Sequence, residues 1–181
     1  PMDALRLVCV KDVKRAEGLA RETEDRNSRR QDLTEKMLIH ARGVWLAEKK
    51  KGNLIFVSDE SYDEGIVGLV AGKLLEEFYQ PAVVAAVGEK EGRGSARSIE
   101  GFSIAKALDL SGDLLMAHGG HPLAAGFTVD KVKIEKLKKR LVGLANRKLK
   151  ETELSPTLKV DLELPREILS FSFLEKLGEF G

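Results

Sequence analysis

Three short stretches carry the residue types from which a chemistry could be built. The first is His-Gly-Gly-His-Pro-Leu-Ala-Ala-Gly, residues 118–126. Gly119 and Gly120 free the backbone to take a positive φ and let a ligand approach main-chain N–H groups closely. His121 sets an imidazole beside those donors, and Ala124, Ala125 and Gly126 keep the next segment free of bulk. Backbone donors that cradle oxygens, with an imidazole able to donate or share a proton, suit a phosphate or phosphodiester. A glycine-rich connection between strands, with an incidental histidine, fits the same spacing, so both readings stand. His118 and His121 also raise a metal, but two ligands alone do not make a site, and no metal ligand is assigned.

The second stretch is Gly-Arg-Gly-Ser-Ala-Arg-Ser, residues 92–98. On a strand, Arg93, Ser95 and Arg97 would share one face, with Ser98 on the other, because side chains alternate with period two. Two guanidiniums with a hydroxyl between them form a phosphate clamp whose bidentate geometry lysine cannot match. Solvated arginines on an edge strand are the alternative. The third stretch packs Asp59, Glu60, Asp63 and Glu64 within six residues. Clustered acids can hold Mg2+ or Mn2+. These precede a helix that starts near Gly65, where acids also favour the helix dipole, and a solvated N-terminal cap is the simpler reading.

These stretches need a scaffold. Residues from about 12 to 48 lack Pro, and apolar or small residues recur at Val13, Ala16, Ala20, Thr23, Met37, Leu38, Ala41 and Trp45. That spacing predicts a long helix with at most one break. Its middle, with Arg26, Arg29 and Arg30, is polar all round, as in a helix that crosses solvent or bridges two domains. Leu54–Val57 reads as a strand and 65–78 as a buried helix, whose Gly68 and Gly72 suggest close packing on a sheet. Strands are further expected at 81–87 and 92–99, and a short helix capped by Ser103 at 101–110. Two more strands, 113–118 and 124–129, would be separated by the loop 119–123. Asp130 is a sound N-cap for a helix with its stripe at Ile134, Leu137, Leu141, Leu144 and Leu149. A strand-rich unit begins near 155, followed by a short helix at 169–180. The alternation defines an α/β fold, a mixed sheet flanked by helices and preceded by a long connecting helix. Three regions follow: 1–50 as connector, 51–150 as the sheet domain and 151–181 as the start of another.

Composition narrows the partners. The 181 residues are 43% hydrophobic and 33% charged, as in a globular protein. Thirty Lys and Arg against 29 Asp and Glu give a net charge of +1, so any site for a polyanion must be local. Aromatics at 6% offer few stacking platforms. A single cysteine, Cys9, excludes an internal disulfide and a cysteine-based zinc site and fits a reducing cytoplasm. The most apolar stretches are far shorter than a membrane span, and no membrane partner is expected. A start at Pro1 and an end at Gly181 lead to the expectation of a piece of a longer protein.

The order Arg-Asn-Ser-Arg-Arg-Gln at 26–31, Glu-Gly-Ile-Val-Gly at 64–68, Gly-Ser-Ala-Arg-Ser-Ile at 94–99, then His-Gly-Gly-His-Pro-Leu-Ala-Ala-Gly-Phe resembles the RecJ single-strand exonucleases. These belong to the DHH phosphoesterase superfamily. The likeness is to their DHH-associated half and runs from about residue 12 to the end. The Gly-Gly-His…Ala-Ala-Gly pattern is shared across the superfamily. Gly-Ser-Ala-Arg-Ser-Ile with Gly-Phe close behind, and the terminal Leu-Glu-Lys-Leu-Gly-Glu-Phe-Gly, point more narrowly to RecJ, in which such a terminus opens an OB-fold-type domain.

The resemblance implies a 5′→3′ exonuclease of single-stranded DNA in repair and recombination, with this chain as its substrate-binding half. Ser95 and Arg97 look like the residues that bind the 5′ phosphate, with Arg93 beside them. Gly119, Gly120 and His121 look like the element that closes over the nucleotide, His121 near the scissile phosphate. Two Mn2+ or Mg2+ ions belong to the family's N-terminal Asp-His-His catalytic domain, which this sequence lacks. The chain alone is therefore expected to bind no such ions and to be inactive. A single-strand-binding protein is the partner the family suggests. Two rivals remain: a superfamily phosphodiesterase for short oligonucleotides or cyclic dinucleotides, and a catalytically dead nuclease-related scaffold. Tyr62 and Asp63 stand where relatives often carry Trp-His, so no substrate contact is assigned there.

Overall fold

A computed structural model describes residues 2–49, 52–149, 160 and 162–179. The chain starts with two helices, α1 (Met2–Cys9) and α2 (Val13–Ala47). It continues β1 (Ile55–Asp59), α3 (Val67–Phe78), β2 (Ala82–Val87), β3 (Glu91–Arg97), α4 (Ile104–Asp109), β4 (Leu115–His121), β5 (Ala124–Asp130), α5 (Ile134–Lys148) and α6 (Phe171–Gly178). The five strands form one sheet in the order β1-β2-β3-β5-β4. β1 and β2 are parallel, joined through α3, and every other pairing is antiparallel. The fold is α/β, with a mixed sheet between helices.

Each face of the sheet has its own core. On one, Met37, Ala41 and Trp45 of α2 and Val67, Val70, Ala71 and Leu74 of α3 bury against Ile55, Val57, Ala82 and Val84. On the other, α4 and α5 close over Phe56, Val83, Ala85, Ala96, Phe127 and Val129. The burial of β3 alternates residue by residue, and this explains its composition. Gly92, Gly94 and Ala96 face the second core, whereas Arg93, Ser95 and Arg97 leave on the α3 side. Gly94 lies under the ring of its partner Phe127, and a Cβ there would stand 2.2 Å from Phe127 Cζ.

α2 is unbroken over 35 residues, a rod of about 52 Å at ~1.5 Å per residue. Asp12 caps it by accepting from the Arg15 N–H at 2.8 Å. Its buried residues are Thr34, Met37, Ala41 and Trp45, so its last third carries the attachment to the sheet domain, and Val13 is exposed.

Four local expectations need correction. Gly119, Gly120 and His121 are not a loop but the end of β4, and the turn is Pro122-Leu123. Asp130 caps a 3-10 turn at Lys131–Lys133 rather than α5 itself. The acids before α3 do not cap it, since its N-cap is Ile66 and its first turn holds none. Of the two α3 glycines, only Gly68 is closely packed; a Cβ on Gly72 would meet nothing within 4 Å. The strand-rich unit expected near 155 falls on 150–159 and 161, outside the described residues, and the described residues 160 and 162–165 are not strand.

These contacts give opposite signs for two alanine substitutions. Gly72→Ala should stabilise by ~0.5–1 kcal/mol through helix propensity. Gly94→Ala should cost about 1–3 kcal/mol, because the ring beneath it has nowhere to go. Urea unfolding of both variants measures the two signs.

Candidate phosphate-binding face

Antiparallel pairing places directly opposed residues on the same side of a sheet, with neighbouring strands ~4.8 Å apart. Ser95 pairs with Gly126, which pairs with Gly119. One step along, Arg97 pairs with Ala124, which pairs with His121. Arg97 and His121 therefore stand in one row on one face, two strands or roughly 10 Å apart. Between them lie only Ala124 and Gly126, the latter exposed. The small-residue run of the sequence is thus an open floor between a guanidinium and an imidazole. α3 packs over the β2–β3 part of this face, and β5 and β4 carry no helix there among the described residues.

Arg97 Nη1 donates to Ser95 Oγ at 3.2 Å and to the Ala96 carbonyl at 3.0 Å. The hydroxyl oxygen is thereby used as an acceptor, and its own proton remains available to an anion. Both side chains are half-buried. Arg97 also reaches a groove of about 710 Å³ between α2 and α3, whose walls include Arg30, Thr34, Glu35, Gly68 and Lys73. The groove joins Arg30 of the long helix to Arg97 at the end of β3.

Arg93 shares the face but has other partners. Its Nε donates to Glu91 Oε1 at 3.0 Å and its Nη1 to Glu64 Oε2 at 3.2 Å. Those two carboxylates hold its guanidinium above its usual pKa, the hydrogen bond that Arg93 donates to Glu91 first. Of the three residues on the strand, Ser95 and Arg97 form a pair and Arg93 stands apart from it.

Gly120 has φ +146°, and a Cβ there would lie 2.4 Å from the Ala124 carbonyl oxygen. Only glycine lets the two strands close at this point. Gly119 opens to space, and His121 is exposed at the hairpin tip. His118 opposes Phe127 and so leaves β4 on the other face, where its Nε2 lies 3.1 Å from Asp109 Oδ1. The two histidines cannot share a ligand.

The acidic stretch disperses. Asp59 accepts from the Ser61 hydroxyl and N–H, which hold its pKa below the ordinary value. Asp63 accepts from the Gly65 N–H, Glu64 binds Arg93, and Glu60 binds Lys131 at 2.6 Å. Among the described residues no three His, Cys, Asp or Glu come together as a metal site. No helix among them is long and apolar enough to cross a membrane.

The sequence marks Gly68 only for close packing and says nothing of His40. Gly68 faces the Ser95–Arg97 pair: its Cβ would stand 3.1 Å from both Ser95 Oγ and Arg97 Nη2. His40 of α2 meets Tyr62, with Nδ1 3.1 Å from the phenol oxygen and the rings edge to face. The approach of Gly68 could not be read from a pattern in which Gly72 looks the same. Tyr62 was visible in the sequence, but its partner 22 residues upstream was not.

The chain belongs to a defined class, the DHHA1 domain family, which matches residues 51–151. Within that class the chain is similar to single-stranded-DNA-specific exonuclease RecJ. It is 35% identical to that of Bacillus subtilis over 98% of this chain and 23% of that protein, and 32% identical to that of Thermus thermophilus over 97% and 26%. The chain thus spans about a quarter of the relatives it matches. Two solved structures agree, each at TM-score 0.72 and 33% identity. RecJ from T. thermophilus in complex with Mg2+ is covered over 81% of this chain and 23% of that one; exonuclease RecJ bound to manganese, over 84% and 39%.

The burial of Tyr62 has a titration signature. Burial, and then the charge of Asp59, push the phenol from 10.0 up to about 12. Between those values the native state holds a proton that the unfolded chain has lost, so stability falls as pH rises from about 10 to about 12. Phenolate absorbance should show one tyrosine ionising near 12, and Tyr62→Phe should remove that component and flatten the stability loss over the same window.

Proposed function

We propose that this chain is the substrate-holding half of a RecJ-like 5′→3′ exonuclease for single-stranded DNA. The observation that carries the reading is the row Arg97–Ala124–His121, with Ser95 beside Arg97 on the same face. A strand's terminal phosphate would lie against the adjacent Ser95 hydroxyl and Arg97 guanidinium, which supply charge-assisted hydrogen bonds. The backbone then runs over Ala124 and Gly126 towards Gly119, Gly120 and His121, where the imidazole contacts a second phosphate. Arg93, tied to Glu64 and Glu91, contributes positive charge at the margin.

Hydrolysis belongs elsewhere. The Mg2+ and Mn2+ named for the RecJ structures fit no side-chain cluster among the described residues. An N-terminal DHH catalytic domain would hold two such ions, which activate water and stabilise the attacked phosphate. The exposed length of α2 is the connector to that domain, and the bare half of the sheet is the wall of the cleft between them. The same reading assigns the whole protein to DNA repair and recombination in the cytoplasm, with a single-strand-binding protein as a partner.

Two measurements test this. Fluorescence anisotropy with a 5′-phosphorylated single strand should show weak binding that diminishes with salt, and no manganese-dependent cleavage; turnover by the purified chain, with contaminating nuclease excluded, would defeat the division of labour. Arg97→Ala should weaken binding to 5′-phosphorylated ends by about tenfold or more, the value of a hydrogen-bonded charge, and binding to 5′-hydroxyl ends much less. Equal losses on both ends would rule out the clamp.

A further inference from the structure

We propose that Gly68 is a positioning residue that keeps Ser95 and Arg97 accessible to a terminal phosphate, and so sets the preference for phosphorylated over unphosphorylated ends. The inference rests on the phosphate-clamp reading above and adds to it a residue from a different element.

Gly68 lies in the first turn of α3, where that helix packs on β3. A methyl there would stand 3.1 Å from Ser95 Oγ, 3.1 Å from Arg97 Nη2 and 3.6 Å from Ser95 Cβ. Those separations are tighter than ordinary contact between carbon and a polar atom. They also fall within the distance at which each donor would reach an acceptor oxygen. A side chain at this position would compete with the ligand for the same approach. It would also push the guanidinium, the mobile partner, off the hydroxyl it now holds through Nη1.

Helix formation does not ask for glycine here; propensity disfavours it, and φ is not in the left-handed range. Gly72, one turn on, provides the internal comparison, because it belongs to the same helix and a Cβ there meets nothing within 4 Å. One glycine is required by its neighbours and the other is not.

The test uses the whole chain with Gly68→Ala, Gly68→Val, Gly72→Ala and Arg97→Ala. Each is titrated with one single-stranded oligodeoxynucleotide bearing either a 5′ phosphate or a 5′ hydroxyl, and each is melted. The ratio of the two dissociation constants is the readout, since a merely structural defect moves both alike. Gly68→Ala should lower the phosphate preference about three- to tenfold, the partial loss of a charged hydrogen bond, with a melting midpoint no lower than the parent's. Gly68→Val should bring the ratio down to that of Arg97→Ala, and Gly72→Ala should leave it unchanged. If Arg97→Ala abolishes the preference and both Gly68 variants retain it, the inference fails and the clamp stands. An equal fall on both ends in the Gly68 variants overturns it as well. If Arg97→Ala itself leaves the ratio intact, the clamp fails and takes this inference with it.

Discussion

Seven consecutive residue pairs hold β3 against β5, and in each pair the two side chains must leave the sheet on the same side. Most of the molecule's organisation follows from that one constraint. It commits Gly92, Gly94 and Ala96 to the core, where Ile134 fills the space over Gly92 and Phe127 that over Gly94. By the same alternation it commits Arg93, Ser95 and Arg97 to the opposite face. A shift of register by one residue would either turn two guanidiniums into the core or turn Phe127 out of it, so the register is strongly specified.

The hairpin of β4 and β5 extends the same logic to the sheet's edge. Gly120 closes the pairing where a side chain would strike the Ala124 carbonyl. His121 is thereby fixed to the row of Arg97 although 24 residues and a helix separate them in sequence. The helices are distributed to match. α4 and α5 cover one face from β1 to β5, whereas α2 and α3 stop short on the other. The result is a face half packed and half open, with its polar groups at the boundary.

Much of this could be read from the sequence, for physical reasons that differ by element. The alternation in Gly-Arg-Gly-Ser-Ala-Arg was legible because period two is local. The long helix and the stripes of α3 and α5 were legible because period 3.6 is local too. Strand order was not. β5 inserts between β3 and β4, and nothing in either segment encodes that neighbour. The Gly-Gly pair reads as a turn because glycine usually buys conformational freedom, yet here it serves close strand pairing, and the turn moves to Pro122-Leu123. Gly68 and Gly72 show the limit best: identical residues at identical spacing, told apart only by what the fold sets opposite them. The acids at 59–64 were dispersed by partners as distant as Lys131, which no local pattern announces.

The attachment of α2 has a mechanical consequence. Its grip on the sheet lies between Thr34 and Trp45, and Val13 is some twenty residues out along a rigid rod. With ~1.5 Å per residue, that overhang is about 30 Å, and a tilt of 10° at the grip carries the free end roughly 5 Å sideways. The helix is therefore a cantilever. A small repacking around Met37 and Ala41 is levered into a displacement of several ångströms at its far end.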